Sequence, residues 1–272
     1  MPELPEVSNV VNYLEPLLTN KKIIACSVHS DNPRIAEERY FIPFLHQPID
    51  SVQRIGKNIL LLTPVGVIRV HLGMSGKILI ASHAAQEKHV HWSLTPEQGE
   101  KIIFADARRF GKVEVYSSLD EFRKKIKIGV DPINDSIKKT LEDYLVRHPY
   151  RDIRSILFDQ SVVCGLGNIY VNEVLFEMGI HPETRARDIT SLERERLSGA
   201  IIKILQDAIK QGGTTFRDFQ HPDNKAGQNL NFLKVYGKEG ETCPRCQQSR
   251  IIRLVYLSRG TFVCPNCQPR RS

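Results

Sequence analysis

At 272 residues the chain exceeds one typical domain, so two domains are the natural expectation, and 41% hydrophobic content is ample for their cores. The net charge of +7 favours an anionic partner. No run approaches the roughly 18 apolar residues of a membrane-spanning helix, and the N-terminus lacks the basic-then-apolar pattern of a secretory signal. Four of six cysteines form two Cys-x-x-Cys pairs, while Cys26 and Cys164 stand alone. That usage suits a reducing cytoplasm and a metal site better than a disulfide framework.

The chain opens Met1-Pro2-Glu3-Leu4-Pro5-Glu6. If Met1 is removed, Pro2 becomes a free secondary amine whose ordinary pKa lies near ~8, so part of it is nucleophilic at neutral pH. Glu3 beside it can move protons. An amphipathic helix follows over roughly 5–19, with Val7, Val10, Val11, Leu14, Leu17 and Leu18 as its apolar residues. Short apolar runs come next at 59–62, 67–70, 78–80 and 102–104, separated by turn signals such as Thr63-Pro64-Val65-Gly66. Closely spaced strands without intervening helices predict a sandwich or small barrel.

After Asp131-Pro132 the pattern becomes helical, over 136–147, 152–160, 168–178 and 191–210, which puts a linker near 125–135. Thr190 with Glu193 reads as a capping box, and Gly212-Gly213 as a stop. From residue 233 onward eight cations face only Glu239 and Glu241, the footprint of a phosphate grip. The same stretch holds Cys243-x-x-Cys246 and Cys264-x-x-Cys267, with 17 residues between the pairs. This is two-knuckle spacing for one structural Zn²⁺ on four thiolates, with a hairpin between the knuckles. There is no Walker motif, and Gly165-x-Gly167 is too short for a dinucleotide loop.

Six segments then fall in register: Met1-Pro2-Glu3-Leu4-Pro5-Glu6-Val7, Gly56-Lys57, His71-Leu72-Gly73-Met74-Ser75-Gly76, Asp106-Ala107-Arg108-Arg109-Phe110-Gly111, Gly165-Leu166-Gly167-Asn168-Ile169-Tyr170 and the cysteine-rich end. Together they resemble the formamidopyrimidine-DNA glycosylases over essentially the whole chain. The resemblance implies an α+β protein: an N-terminal β-sandwich with flanking helices (1–130), a helical helix–two-turn–helix domain with a lesion-recognition loop (131–232), and a zinc finger (233–272).

It also implies bifunctional base-excision repair of oxidised purines in duplex DNA, by a cytoplasmic monomer working at the nucleoid on oxidised or abasic sites. Pro2 is then the nucleophile, Glu3 the proton donor and acceptor, Lys57 the β-elimination lysine and Arg259 the finger arginine of δ-elimination. Glu6 is either a supporting carboxylate or an ordinary first-turn acid. Asn168 holds a phosphate, caps a helix, or does both. Met74, Arg108 and Phe110 match the trio that fills the void left by the flipped nucleotide. His89 resembles a DNA-contacting histidine, and His71, Arg154 and Arg151 are further contact candidates.

The chain departs from the family pattern in places. Ser8 stands where an acid is common. The Asp223-x-Lys225-x-Gly227 frame of the recognition loop has Ala226 in place of proline and is followed by an amide-rich run. Lys225 remains the loop's candidate DNA contact. The rival readings are an oxidised-pyrimidine enzyme of the same family and a noncatalytic binder of damaged or abasic DNA.

Overall fold

The first helix, α1 (Leu4–Leu18), forms where apolar residues recur at helical spacing, and Val7, Val10, Val11, Leu14 and Leu18 are buried. Pro5 sits in its first turn, where a missing N–H is harmless. These coordinates are a computed structural model that describes residues 1–84, 87–215, 222, 227–256 and 258–271. The chain divides into two units: Met1–Lys127 with Ile209–Leu230, and Ile128–Ala208 with Asn231–Ser272.

Among the described residues of the first unit, eight strands follow α1: β1 (Ile23–Val28), β2 (Ser51–Ile55), β3 (Asn58–Thr63), β4 (Gly66–His71), β5 (Lys77–Ile80), β6 (Val90–Pro96), β7 (Ile102–Ala105) and β8 (Lys112–Tyr116). They pair antiparallel into two sheets, ordered β1-β6-β7-β5 and β2-β3-β4-β8. Ile59, Leu61, Ile68 and Val70 from one sheet share a core with Ile78, Trp92, Leu94, Ile102 and Phe104 from the other, and the apolar face of α1 joins it. This is the expected sandwich. Strands β1, β2, β6 and β8 go beyond the four apolar runs read from the sequence.

Helix α2 (Leu119–Ile126) was also not expected. Its only buried residue is Phe122, so apolar periodicity had almost nothing to register. The Oγ of Ser118 accepts the Glu121 N–H at 3.1 Å and starts it, while Lys127 in the left-handed region ends it.

Two connections cross between the sheets. Residues 72–76 carry the chain from β4 to β5, and 106–111 carry it back from β7 to β8. The pairs His71↔Lys112 and Lys77↔Ala105 flank both connections, so the register sets the two loops side by side.

The second unit holds α3 (Lys138–Arg147), α4 (Ile153–Phe158), α5 (Asn168–Met178) and most of α6 (Ser191–Lys210), close to the sequence expectation. Between α4 and α5 the chain makes two tight turns. Val162 and Val163 donate to the Asp159 carbonyl, and the Gln160 amide accepts from Gly165 N–H (2.9 Å) and donates to Leu166 O (2.8 Å). Thr190 and Glu193 form the expected box at the start of α6, with Thr190 N–H donating to Glu193 at 2.9 Å. Gly212 and Gly213, with φ of 77° and 75°, follow its end.

Strands β9 (Ile252–Tyr256) and β10 (Arg259–Val263) make the C-terminal hairpin. It is mounted on α5, where Asn172 accepts the Phe262 N–H at 2.6 Å, and the chain after it is tied to the residues after α5, where Gln268 donates to Ile180 O at 2.9 Å. Among the described residues no helix is long and apolar enough to cross a membrane.

Glu173, on α5, is buried and accepts backbone N–H groups from Lys234, Val235 and Tyr236 at 2.9, 3.0 and 2.9 Å. Burial pushes its carboxyl above the ordinary value, against the lowering effect of those three donors. Glu173→Ala would leave the donors without an acceptor. Chemical denaturation should show a loss of about 2–4 kcal/mol, whereas a loss below about 0.5 kcal/mol would remove this residue from the account.

Candidate active site and nucleic-acid contacts

At the start of α1, Pro2, Glu3 and Glu6 are buried while Met1 is exposed. Glu3 is the N-cap of α1, and Glu6 closes a capping box by accepting the Glu3 N–H at 2.8 Å. The other Glu6 oxygen accepts the Thr214 N–H at 2.7 Å. Glu6 is therefore more than a first-turn acid, because it ties the helix start to residues 213–214. A Cβ on Gly213 would lie 3.1 Å from that same carboxylate, so the close approach and the positive φ both call for glycine.

Beyond it, Gly227 N–H donates to Thr215 Oγ1 at 2.7 Å and Asn229 donates to Thr214 Oγ1 at 2.8 Å. These bonds join residues 214–215 to 227–229, on either side of the stretch expected to be a recognition loop. Its middle, with Lys225 and Ala226, lies outside the described residues. Ser8 donates to Leu4 O at 2.9 Å, so its hydroxyl is satisfied within the helix.

Lys57 occupies the two-residue turn between β2 and β3. Ile55↔Asn58 closes the hairpin, and Gly56 supplies the positive φ of 58°. Arg54 donates to Gly56 O at 3.0 Å, Asn58 to Ile55 O at 2.8 Å, and Arg69 to Asn58 at 2.7 Å. Arg69 also pairs with Glu114. The turn is thus fixed from beneath by three side chains.

His71 lies across the ladder from Asn58. Burial first, then the cations Arg69, Lys57 and Lys112, push its pKa down to about 3. Its Nδ1 accepts the Gly73 N–H at 3.1 Å, which leaves the proton on Nε2. Without DNA, it offers Nε2–H as a neutral donor.

Met74, Arg108 and Phe110 are exposed on the two crossing loops, and the Arg108 guanidinium lies 5.3 Å from the Phe110 ring centre. His89, just before β6, is exposed too. His91 is instead buried, against the Asp106 carbonyl at 2.8 Å and Ser30 at 2.7 Å.

In the second unit Asn168 is the first residue of α5, and Gly167 occupies the cap position. The helix-cap reading of Asn168 gives way to a bracket. Its oxygen accepts from Arg154 at 2.9 Å, and its amide donates to Gly260 O at 3.0 Å. Arg259 lies 4.6 Å and Arg154 5.2 Å from the centre of the Phe158 ring. Arg154 is fully buried, and burial followed by the Arg259 charge lowers its pKa. The structure so brings Asn168, Arg154 and Arg259 together beside a helix N-terminus, an arrangement suited to an anion. Arg151 is occupied otherwise, by Tyr144, Asp159 and the Ser155 carbonyl.

The sulfurs of Cys243, Cys246, Cys264 and Cys267 lie within 4.8 Å of one another, with two pairs at 3.8 and 3.7 Å. Tetrahedral bonds of about 2.3 Å from a central zinc put sulfurs about 3.8 Å apart, so the four thiols fit such an ion. They share a small apolar cluster with Phe176, Val235 and Ile251. Cys26 and Cys164 are buried elsewhere, and burial pushes the Cys26 thiol up to about 12, so it is no nucleophile.

Residues 1–113 match the model of the formamidopyrimidine-DNA glycosylase N-terminal domain, and residues 128–220 that of its H2TH domain. The chain is 36% identical, over 99% of its length and 100% of theirs, to a formamidopyrimidine-DNA glycosylase of Histophilus somni. The chain belongs to the formamidopyrimidine-DNA glycosylase family. A Streptococcus pyogenes formamidopyrimidine-DNA glycosylase is likewise 36% identical over the full length of both chains.

Among solved structures, the Lactococcus lactis Fpg bound to abasic-site DNA superposes with a TM-score of 0.89 at 34% identity, covering 98% of this chain and 100% of that one. The wild-type Lactococcus lactis Fpg with oxidised-pyrimidine DNA gives 0.88 at 33%, covering 99% and 100%. As a member of this family the chain is a DNA-repair enzyme, of the class combining DNA glycosylase and AP lyase activities, and DNA is its partner.

Sequence reasoning offered Glu6 as a supporting carboxylate but not its bond to Thr214, and it missed Arg54 and Arg69 beneath Lys57 and Phe158 beneath Arg259. Two of these contacts had a local signal, the three-residue capping-box spacing of Glu3 and Glu6 and the four-residue spacing of Arg154 and Phe158.

His71 supplies a pH prediction. Its folded pKa is depressed, so the unfolded chain binds the extra proton between pH 6.5 and about 3. Stability should fall on acidification through that window by up to about 1.4 kcal/mol per pH unit. Denaturation midpoints of His71→Gln should lose that part of the slope, and identical slopes would refute a neutral, half-buried imidazole.

Proposed function

We propose that this enzyme excises oxidised purines, 8-oxoguanine and formamidopyrimidines, from duplex DNA through a Schiff base on Pro2. Once Met1 is removed, the Pro2 nitrogen attacks C1′ of the flipped nucleotide and the glycosidic bond breaks, so the base leaves with the bonding pair. The Pro2 N–H proton passes to the departing base, and Glu3 then protonates O4′ as the sugar ring opens. Because proline is a secondary amine, the product is a cationic iminium, which draws electrons from the neighbouring C–H bond. Loss of the C2′ proton expels the 3′ phosphate, with Lys57 assisting. Loss of the C4′ proton then expels the 5′ phosphate, with Arg259 assisting. Asn168, with Arg154 behind it, and the neutral Nε2–H of His71 hold phosphates, and His89 adds an outer contact.

The exposed trio Met74, Arg108 and Phe110 carries the base-flipping reading, and its residue types, which resemble those of the purine-excising branch of the family, favour purines. Large side chains presented to solvent on two adjoining loops are suited to filling the gap a flipped nucleotide leaves. Lys225 and the amide-rich stretch after it would read the flipped base. Zinc on the four cysteines would be structural, because a closed set of four thiolates has no open position. It would hold the hairpin that carries Arg259. The enzyme would act as a monomer in the cytoplasm, on nucleoid DNA. The oxidised-pyrimidine reading stays as the second one, since a structural relative has been captured on such DNA.

Borohydride trapping on duplexes that each carry one defined lesion tests this. A covalent adduct should form on 8-oxoguanine DNA, locate to residue 2, and vanish in Pro2→Gly. An adduct on pyrimidine lesions alone would select the second reading. No adduct on any lesion, with abasic-site binding intact, would sink the enzymatic chemistry. Elemental analysis should give about one zinc per chain, and chelation should lower DNA affinity and δ-elimination while leaving the sandwich folded.

A further inference from the structure

We propose that Asp106 is the positioning residue that shapes the gap-filling loops before DNA arrives, so that its loss slows extrusion of a stacked base and spares the chemistry at the sugar. The inference rests on the base-flipping reading above and deepens it.

Asp106 follows β7 and is 1% exposed. One carboxylate oxygen accepts the Ser75 hydroxyl at 2.5 Å and the Arg108 N–H at 3.1 Å. The other accepts the Gly111 N–H at 2.6 Å. Ser75 belongs to the loop of Met74, whereas Arg108 and Gly111 bracket the loop of Phe110. A single buried acid therefore joins both loops. Its own backbone is held as well, through His91 on its carbonyl at 2.8 Å.

The surroundings leave little slack. A Cβ on Gly73 would come within 2.6 Å of the Phe110 and Gly111 backbone, so the two loops touch main chain to main chain. Gly76 N–H closes a turn on Leu72 O at 2.8 Å. Arg109 takes a left-handed φ of 58° and donates to Asp31 at 2.7 Å. Residues 107–110 all face solvent, so burial does little to fix their shape. That task falls to the bonds beneath.

The energetic consequence is specific. Extruding a paired, stacked base costs a few kcal/mol, and a filler contributes only what remains after its own ordering cost. A loop already held in shape has little of that cost left. At an abasic site there is no base to extrude, so the same loops matter less there.

Asparagine cannot stand in. The two backbone donors, Arg108 N–H and Gly111 N–H, sit on different carboxylate oxygens. Whichever way an Asn amide turns, its NH₂ faces one of them.

The test compares Asp106→Asn with wild type on three duplexes: a paired 8-oxoguanine, the same lesion unpaired in a bubble, and a preformed abasic site. Excision of the paired lesion should fall roughly tenfold to a hundredfold. The defect should shrink on the bubble, and β-elimination at the abasic site should stay within about threefold, a change worth well under 1 kcal/mol. Ser75→Ala, which removes the hydroxyl's bonds to Asp106 and to the Arg108 N–H but keeps both backbone bonds of the Asp106 carboxylate, should show the same order with a smaller loss. It also carries the test if Asp106→Asn does not fold. Equal losses on all three duplexes, or no loss on the paired one, would overturn the proposal. Wild type inactive on the paired purine would instead count against the substrate reading.

Discussion

Burying a carboxylate costs several kcal/mol unless hydrogen-bond donors replace the water it leaves. In this protein that constraint is turned into a way of fixing loops. Glu6 gathers the N–H groups of Glu3 and Thr214, Asp106 those of Arg108 and Gly111, and Glu173 those of three consecutive residues, Lys234 to Tyr236. Each acid is nearly inaccessible to solvent. Each can remain there only while the chain segments around it keep their backbone donors aimed inward. The cost of an unsatisfied buried charge thus becomes the force that holds those segments in one shape.

The functional side chains sit on the segments so held. Pro2 and Glu3 precede the helix that Glu6 caps. Met74, Arg108 and Phe110 project from the loops above Asp106, and Glu173 anchors the chain entering the hairpin that carries Arg259. Arginines serve the same end where the held group is a side chain or a carbonyl, as Arg54 and Arg69 do beneath the Lys57 turn and Arg154 does at Asn168. Met74, Arg108, Phe110 and Arg259 are exposed, Lys57 sits in a turn and Pro2 and Glu3 lie covered at a helix start, while the supports of each are largely buried. Such an arrangement suits side chains that must keep their shape when DNA is bound.

Much of this was legible before any coordinates. The apolar runs of β3, β4, β5 and β7 announce strands because both faces of a sandwich strand tend to be covered, and the spacing of Leu197, Ile201, Leu205 and Ala208 announces α6. The cysteine pairs are legible because metal geometry imposes their spacing. Strands such as β2 and β8 were not found, since each mixes polar and apolar residues over only five positions. Helix α2 was missed because a capping serine and a single buried aromatic residue specify it. The return of Ile209–Leu230 to the first unit depends on Glu6 meeting Thr214, 208 positions apart, which no local pattern encodes. The supports of the site were hidden for the same reason. An acid's role as a double acceptor is set by what folds onto it, and its identity alone does not declare it.

Amide hydrogen exchange on the DNA-free enzyme tests most directly whether buried acids hold the functional loops. The amides of Arg108, Gly111 and Thr214 lie in loops, and by position alone they should exchange as fast as exposed backbone. If Asp106 and Glu6 hold them as described, they will exchange as slowly as the paired amides of β4 and β7. Exchange at open-loop rates, with the strands still protected, would contradict the account.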